Sequence, residues 1–208
     1  MKKILLLFVV SLLMVGCSFA QVKISGGVIG GLNLASASID PAPTGVDLGN
    51  LTGFGFGGVL NFAFDGFAVQ VEPMYLQSGV KYSAGNLEAK DKVSFINIPV
   101  LLIYTFTTSP GQVEPYVLAG PTVGFTLSAK YTDPNGVETD FKSTTSSTNF
   151  GVTFGAGVKI PVGMNRVFVE GRYELGLKNL NTDPNSSNTT VKSKGIGIFA
   201  GITFPFGS

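Results

Sequence analysis

The sequence predicts an all-β protein, namely an eight-stranded antiparallel up-and-down transmembrane β-barrel with long extracellular loops and short periplasmic turns. Three observations predict it. Apolar and polar residues alternate with a period of two in eight segments, no convincing helix follows the N-terminus, and the joins between segments alternate strictly between long and short. An even strand count with alternating joins is typical of an outer-membrane barrel, whereas a sandwich has no reason for this layout.

Residues 1–20 form a predicted signal peptide that is removed, which leaves residues 21–208 as the barrel domain. Two lysines precede an apolar run over 4–16, and Ser18-x-Ala20 supplies the small residues before the cut. The run is too short to favour a spanning helix. Because Cys17 follows Val15-Gly16 as in a lipoprotein processing site, lipidation of Cys17 is an alternative to cleavage after Ala20.

The first four segments cover residues 22–34, 52–64, 67–82 and 93–106. In the first, Leu32 shares a parity with other apolar residues whereas Asn33 has the opposite parity, and such alternation is that of a strand. Asp65-Gly66 joins the second and third segments as a two-residue hairpin turn. Pro73 and Pro99 remove backbone donors within two strands, so we expect bulges there.

The last four segments cover residues 112–131, 149–160, 167–178 and 191–206. The seventh has the clearest opposition of faces, because Val169 and Tyr173 share one parity whereas Glu170, Arg172 and Glu174 share the other. Its length suits one crossing, since a tilted transmembrane strand needs about 9 to 11 residues.

The joins and the aromatic residues agree on an orientation in the membrane. The long, polar joins are 35–51, 83–92, 132–148 and 179–190, and the short ones are 65–66, 107–111 and 161–166. Aromatic residues beside the short turns are Phe62, Phe64, Phe67, Tyr104, Phe106, Phe204 and Phe206; those toward the long loops are Phe54, Phe56, Tyr75, Tyr131, Phe150 and Tyr173. We expect these two sets to form the interfacial girdles.

The inward parity carries a predicted charge network in the lumen. Its members are Glu72, Glu114, Lys159, Glu170, Arg172 and Glu174. We expect Lys159 to pair with Glu170 across the short turn, and Arg172 to bridge Glu170, Glu174 or Glu72. An eight-stranded barrel has room inside only for side chains, and a buried charge without its partner costs about 3–5 kcal/mol, so the network is interpreted as a structural plug. A proton or small-ion path is the alternative.

The remaining inward positions divide into small and large residues. Glycines recur on the inward parity of segments one, two, six and eight, whereas the other four segments carry the bulk. Phe95, Leu101 and Ile103 form the predicted apolar lining of the lumen. We expect large side chains from one wall to fill the space beside glycines of the other, which argues against an open pore.

Several stretches resemble one known family. They are 30–34 (GGLNL), 71–79 (VEPMYLQSG), 97–102 (NIPVLL), 116–121 (YVLAGP) and 168–173 (FVEGRY). The chain is similar in these to the PorT-like "porin family" outer-membrane β-barrel proteins of Gram-negative bacteria. The resemblance implies a barrel in the bacterial outer membrane but no activity, since most members have no assigned task. This chain differs in having Ile103 where many relatives carry Lys, and in having Gly207-Ser208 after Phe206.

Composition excludes several functions. The chain has no His, and its one Cys lies in the signal, so neither Ser-His nor thiolate chemistry is available; we expect no enzyme, cofactor or metal. A net charge of +1 gives no footprint for nucleic acid.

We expect a monomer in outer-membrane lipid, and three interpretations of its function remain. The first is a structural or surface-recognition barrel with a filled lumen, whose loops 35–51 and 132–148 meet any extracellular ligand or protein. The second is a transporter or binder of a small solute, which we expect to be apolar. The third is a secreted, soluble barrel of lipocalin type.

Overall fold

The computed structural model describes residues 22–42, 45–85, 87–106, 109, 111–184 and 188–206. The predicted signal peptide and Cys17 lie outside these residues. Ten strands occur: β1 (Lys23–Asp40), β2 (Asp47–Phe64), β3 (Phe67–Val71), β4 (Met74–Ala84), β5 (Leu87–Thr105), β6 (Glu114–Thr132), β7 (Glu138–Asp140), β8 (Thr148–Val162), β9 (Asn165–Gly176) and β10 (Thr190–Pro205). A 3₁₀ helix covers Lys142–Thr144. Within the described ranges, no helix has the length and apolar character needed to cross a membrane.

The sheet closes into a ring with eight positions. β1 pairs with β2 on one side and with β10 on the other, so the first and last strands are neighbours. β3 and β4 share one position, because both pair with β2 and with β5. β7 is a short addition that pairs with β6 above the ring. All of these pairings are antiparallel, which confirms the predicted eight-stranded barrel.

The bulges predicted at Pro73 and Pro99 do not lie at these prolines. Pro73 lies in the gap between β3 and β4 and so interrupts the third predicted strand. The pairing of β3 and β4 with β5 nevertheless keeps one register across that gap. Pro99 lies inside β5, where its carbonyl accepts from the Glu72 N–H at 3.2 Å and only the return hydrogen bond is lost. The register shifts occur instead at Asn50/Gly55 and at Ser94/Phe95.

The outer face is apolar and the inner face is polar or tightly packed. Large apolar side chains stand exposed on every long strand, as Leu32 does at 60% and Ile198 at 64%. Their inward neighbours Asn33 and Phe199 are buried. The predicted alternation therefore assigns the two faces correctly, and an apolar exterior of this kind is suited to lipid.

Aromatic rings form contacts at both rims of the apolar exterior. Beside the short turns, the ring centroids of Phe67 and Tyr104 are 5.0 Å apart and those of Tyr104 and Phe106 are 5.1 Å apart. Toward the other rim, Phe56 and Tyr75 are 5.5 Å apart, and Phe154 and Tyr173 are 5.2 Å apart. Part of each predicted girdle thus consists of rings in mutual contact.

Two of the predicted long loops are largely strand. β1 and β2 together take up 35–40 and 47–51, and β4 and β5 leave only residues 85–86 between them. Among the described residues of the joins 132–148 and 179–190, most lie outside strands. The first two joins are strand because strands of 18 or 19 residues, such as β1 and β5, exceed the length of one crossing. Their hairpins, with polar residues on both faces, therefore continue past the membrane.

Candidate functional site

An ion cluster fills the middle of the lumen. Arg172 Nη1 donates to Glu72 Oε2 at 2.5 Å, and Nη2 donates to Glu72 Oε1 at 2.6 Å. Arg172 Nη2 also forms an ion pair with Glu170 Oε1. The side chains of Arg172, Glu72 and Glu170 are buried, at 5%, 0% and 0% exposure. A bidentate arginine–carboxylate pair of this kind fixes both partners in orientation.

The strands determine which residues meet in this cluster. Glu170 and Arg172 are two residues apart on β9, so both point inward. Glu72 comes from the gap between β3 and β4, four ring positions away, and therefore reaches the cluster from the opposite wall. Gln70, also inward, donates through Nε2 to Glu72. The cluster thus joins two walls across the interior.

Tyr116 is a member of this network that the sequence analysis did not identify. Its hydroxyl donates to Glu170 Oε2 at 2.6 Å, and the residue is only 2% exposed. Lys159 Nζ lies 4.7 Å from the centroid of the Tyr116 ring. The inward parity of Tyr116 was the available signal, because a buried hydroxyl needs a partner.

Two of the predicted pairings are absent from the structure, and Glu114, a predicted member of the network, lies apart from it. Among the described ion pairs none joins Lys159 to Glu170, since Glu170 is engaged by Arg172 and Tyr116. Glu174 accepts from Asn97 Nδ2 at 3.0 Å rather than pairing with Arg172. Glu114 pairs at 3.3 Å with Arg166 at the exposed, short-turn end of the barrel. Position along the barrel axis separates these residues, although all of them point inward.

The lumen on the short-turn side of Phe199 is packed with apolar residues. Leu101 and Ile103 are both 0% exposed and belong to one cluster with Phe168 and Phe199. The Phe199 ring also covers the Arg172 guanidinium, whose central carbon is 5.3 Å from the ring centroid. Phe199 is a bulky residue on a strand predicted to be rich in inward glycines. Leu101 and Ile103 therefore line a filled core.

A cavity of about 350 Å³ lies in the opposite half of the interior, toward the long loops. Phe95, at 3% exposure, contributes to its wall, so this predicted lining residue belongs to the cavity and to a second apolar cluster with Val93 and Leu180. A separate space of about 20 Å³ lies beside Arg172 and Glu174, which is room for about one water molecule. The interior is thus open at one end and filled at the other.

Two loops build the wall of the larger cavity. The Ser146 N–H donates to the Leu180 carbonyl at 2.8 Å, and the Leu180 N–H donates to the Val191 carbonyl at 2.8 Å. The Thr182 N–H donates to the Thr144 carbonyl at 2.9 Å. Leu180 is 7% exposed, with Phe141 packed against its cluster. These backbone bonds connect the β6–β8 and β9–β10 loops to each other and to the barrel.

Asp91 and Tyr82 form a hydrogen-bonded pair on the cavity wall. The Tyr82 hydroxyl donates to Asp91 Oδ2 at 2.6 Å. Burial raises the pKa of the Asp91 carboxyl, and this hydrogen bond partly offsets the shift. Burial also raises the pKa of Tyr82, and the neighbouring carboxylate raises it further. Asp91 precedes the exposed Lys92 and lies beyond the apolar exterior; the sequence analysis missed it because 83–92 was predicted as a loop.

No metal centre is evident in the part of the chain that the structure describes. Within those residues, no group of three or more His, Cys, Asp or Glu side chains is placed to hold an ion.

Comparison with known proteins gives one family and several similar structures. The sequence model of the family described as outer membrane protein beta-barrel domain matches residues 19–182. Neisserial surface protein A is 21% identical with a TM-score of 0.51, covering 87% of this chain and 97% of its own. OprG of Pseudomonas aeruginosa is 13% identical with a TM-score of 0.48, covering 90% and 96%. Ail of Yersinia pestis is 16% identical with a TM-score of 0.44, covering 88% and 99%. No curated protein matches the sequence.

Proposed function

We propose that this chain has a structural or surface-recognition role with a closed lumen. The chain belongs to the outer membrane protein beta-barrel domain family and lies in the bacterial outer membrane. The observation that carries this proposal is the cluster of Arg172 with Glu72 and Glu170, above a core in which Leu101 and Ile103 are fully buried. An ion would have to displace a bidentate pair to pass, and breaking a buried pair is costly.

Recognition is proposed to occur on the side of the long hairpins and loops. β1, β2, β5 and β6 extend well past one membrane crossing, so they present a rigid, polar surface outside the lipid. Exposed segments on a rigid scaffold are where binding residues concentrate. The recognition surface therefore includes the ends of the β1–β2 and β4–β5 hairpins, together with the 132–148 loop.

Planar-bilayer conductance tests the closed lumen. Wild-type barrel is expected to give no steady current, because the interior is filled at the level of Arg172. Arg166→Ala, which removes a cation from the exposed end, serves as the matched control and is expected to be equally silent. A steady wild-type current, whether or not Arg172→Ala changes it, would overturn the closed-lumen role.

A second candidate function is the binding of a small solute. The cavity of about 350 Å³ favours it, because ligand pockets are typically about 300–1,000 Å³ and mostly apolar. Of the residues predicted to line a solute path, only Phe95 reaches this cavity, whereas Leu101 and Ile103 belong to the filled core. The second role is therefore binding from the outside rather than passage through the barrel.

We also propose assignments of family type, enzymatic activity and oligomeric state. We propose that the chain is a PorT-like member of its family, on the strength of the motifs at 71–79 and 168–173. The proposed role is not enzymatic, since the chain has no His. A monomer is proposed because the ring closes on itself through β1 and β10. The secreted, lipocalin-like alternative is wrong, because the family is that of outer-membrane barrels.

A further inference from the structure

We propose that the cavity of about 350 Å³ toward the long loops, here called the outer cavity, binds a small cationic amphiphile. Such a molecule has an apolar body and one ammonium group, which pairs with Asp91. This inference rests on the second proposed role, the binding of a small solute. It goes beyond that role by assigning the charge of the ligand and the residue that recognises it.

The cavity is built to hold an apolar body. Val93, Phe95, Leu180 and Phe141 supply apolar surface, and all four lie in segments held by backbone hydrogen bonds. Val80, at 3% exposure, adds to the wall from β4. Burying apolar surface yields about 25 cal/mol per Å², so a preformed apolar wall favours a ligand that is mostly hydrocarbon.

The charges on the cavity wall have one sign. Among the described lining residues, Asp91 and Asp183 are the ionisable acids, and no Lys or Arg lines the cavity. Tyr82 fixes the Asp91 carboxylate by donating to its Oδ2 atom, and this is the one side-chain hydrogen bond to that carboxylate among the described residues. The carboxylate is therefore held in one orientation and retains acceptor capacity toward the cavity. An anionic ligand would meet the Asp91 carboxylate and is disfavoured.

Partial burial makes Asp91 selective. A carboxylate that is removed from water pairs more strongly with a cation than an exposed one does, because the effective dielectric constant is lower. Asp91 is half-buried on the cavity wall, and this burial also raises the pKa of its carboxyl. Surface acids such as Glu88, which pairs with Lys81 at 3.2 Å in the exposed hairpin, lack this environment.

Titration calorimetry in lipid nanodiscs tests the proposal with three matched probes: 4-phenylbutylamine, 4-phenylbutanol and 4-phenylbutyrate. Empty nanodiscs correct for partition into lipid. The amine is expected to bind saturably and at least tenfold more tightly than the alcohol, and the acid is expected to bind most weakly. Asp91→Asn should remove the preference for the amine while changing the affinity for the alcohol less than twofold. Glu88→Gln is the control and should keep the preference.

The possible results distinguish failure of the cationic-ligand assignment from failure of the solute-binding role. Equal affinity for amine and alcohol, or a preference that survives Asp91→Asn, overturns the assignment of a cationic ligand but leaves solute binding intact. Absence of saturable binding by all three probes overturns both. Ala37→Phe, which fills the cavity from β1, should abolish binding of amine and alcohol alike. The heat-dependent gel shift of each variant verifies that the barrel has folded.

Discussion

Arg172 and Glu72, which are 100 residues apart, form two hydrogen bonds of 2.5 and 2.6 Å across the lumen. They come from strands four positions apart in an eight-position ring, so the pair spans the diameter of the barrel. Glu170 and Tyr116 extend the contact to a third strand. Such a bridge connects opposite walls directly, in addition to the ladders that connect neighbouring strands.

We predict that Arg172→Ala lowers the free energy of unfolding by about 3–5 kcal/mol, because it leaves two buried carboxylates without their cation. Urea unfolding of the refolded barrel in vesicles measures this loss. Arg166→Ala, at an exposed pair, should cost at most about 1 kcal/mol. The triple variant Glu72→Leu, Glu170→Leu and Arg172→Met should recover most of the loss, since an apolar replacement of a buried cluster is often neutral. A stable Arg172→Ala barrel would contradict the bridging role.

We predict that Gly157→Ala destabilises the barrel by about 1–3 kcal/mol through overpacking. A Cβ at Gly157 would lie 2.6 Å from Glu170 Cβ and 2.7 Å from Tyr116 Cζ, against the ion cluster. Gly171→Ala is the matched control, because nothing lies within 4 Å of its added Cβ. The same urea series compares the two variants. Equal stability of the two would show that the wall beside Tyr116 is not tightly packed.

We predict that Tyr104→Ala lowers the free energy of unfolding by about 1–3 kcal/mol, through loss of apolar area and of two ring contacts. The Tyr104 ring lies 5.0 Å from Phe67 and 5.1 Å from Phe106. Tyr104→Phe keeps the ring and should remain within about 0.5 kcal/mol of wild type. If both variants lose the same stability, the hydroxyl rather than the ring contacts is responsible.

We predict that Asp91→Asn stabilises the barrel at pH 8. Burial raises the pKa of Asp91 in the folded state, so its ionisation opposes folding; this penalty is absent below the ordinary pKa of about 3.9 and grows as the pH rises through the raised value. Tyr82 and Asp183 are the other ionisable groups of this wall. Urea midpoints at pH 3 and pH 8 should therefore differ more for wild type than for Asp91→Asn. A variant that is less stable than wild type at pH 8 would contradict this.

The period of two in the sequence was sufficient for the fold and for the orientation of side chains. It assigned Leu32 outward and Asn33 inward, and it identified Glu72, Glu170 and Arg172 as lumen residues. It did not identify their partners, because depth along the barrel axis depends on the tilt of the strands and not on parity. Glu72 and Glu174 were thus equal candidates for Arg172, although only Glu72 binds it.

The sequence does not predict the outer cavity, and the reason is a different one. Outside the lipid, strands carry polar residues on both faces, so the alternation that marks a strand is lost and 83–92 was predicted as a loop. Asp91 lies in that stretch. Its cavity also requires Leu180, from the β9–β10 loop, to pack against Val93 on β5, and such a contact between distant segments leaves no periodic pattern.

The pairing of β1 with β10 has a consequence for assembly. Ser25 lies opposite Pro205, so this seam joins the parts of the barrel most distant in sequence. Contacts of large sequence separation form slowly. Until the seam forms, β1 and β10 each expose a row of unpaired backbone groups, which lipid does not tolerate. Insertion into the membrane must therefore coincide with closure or proceed while another sheet edge covers these two strands.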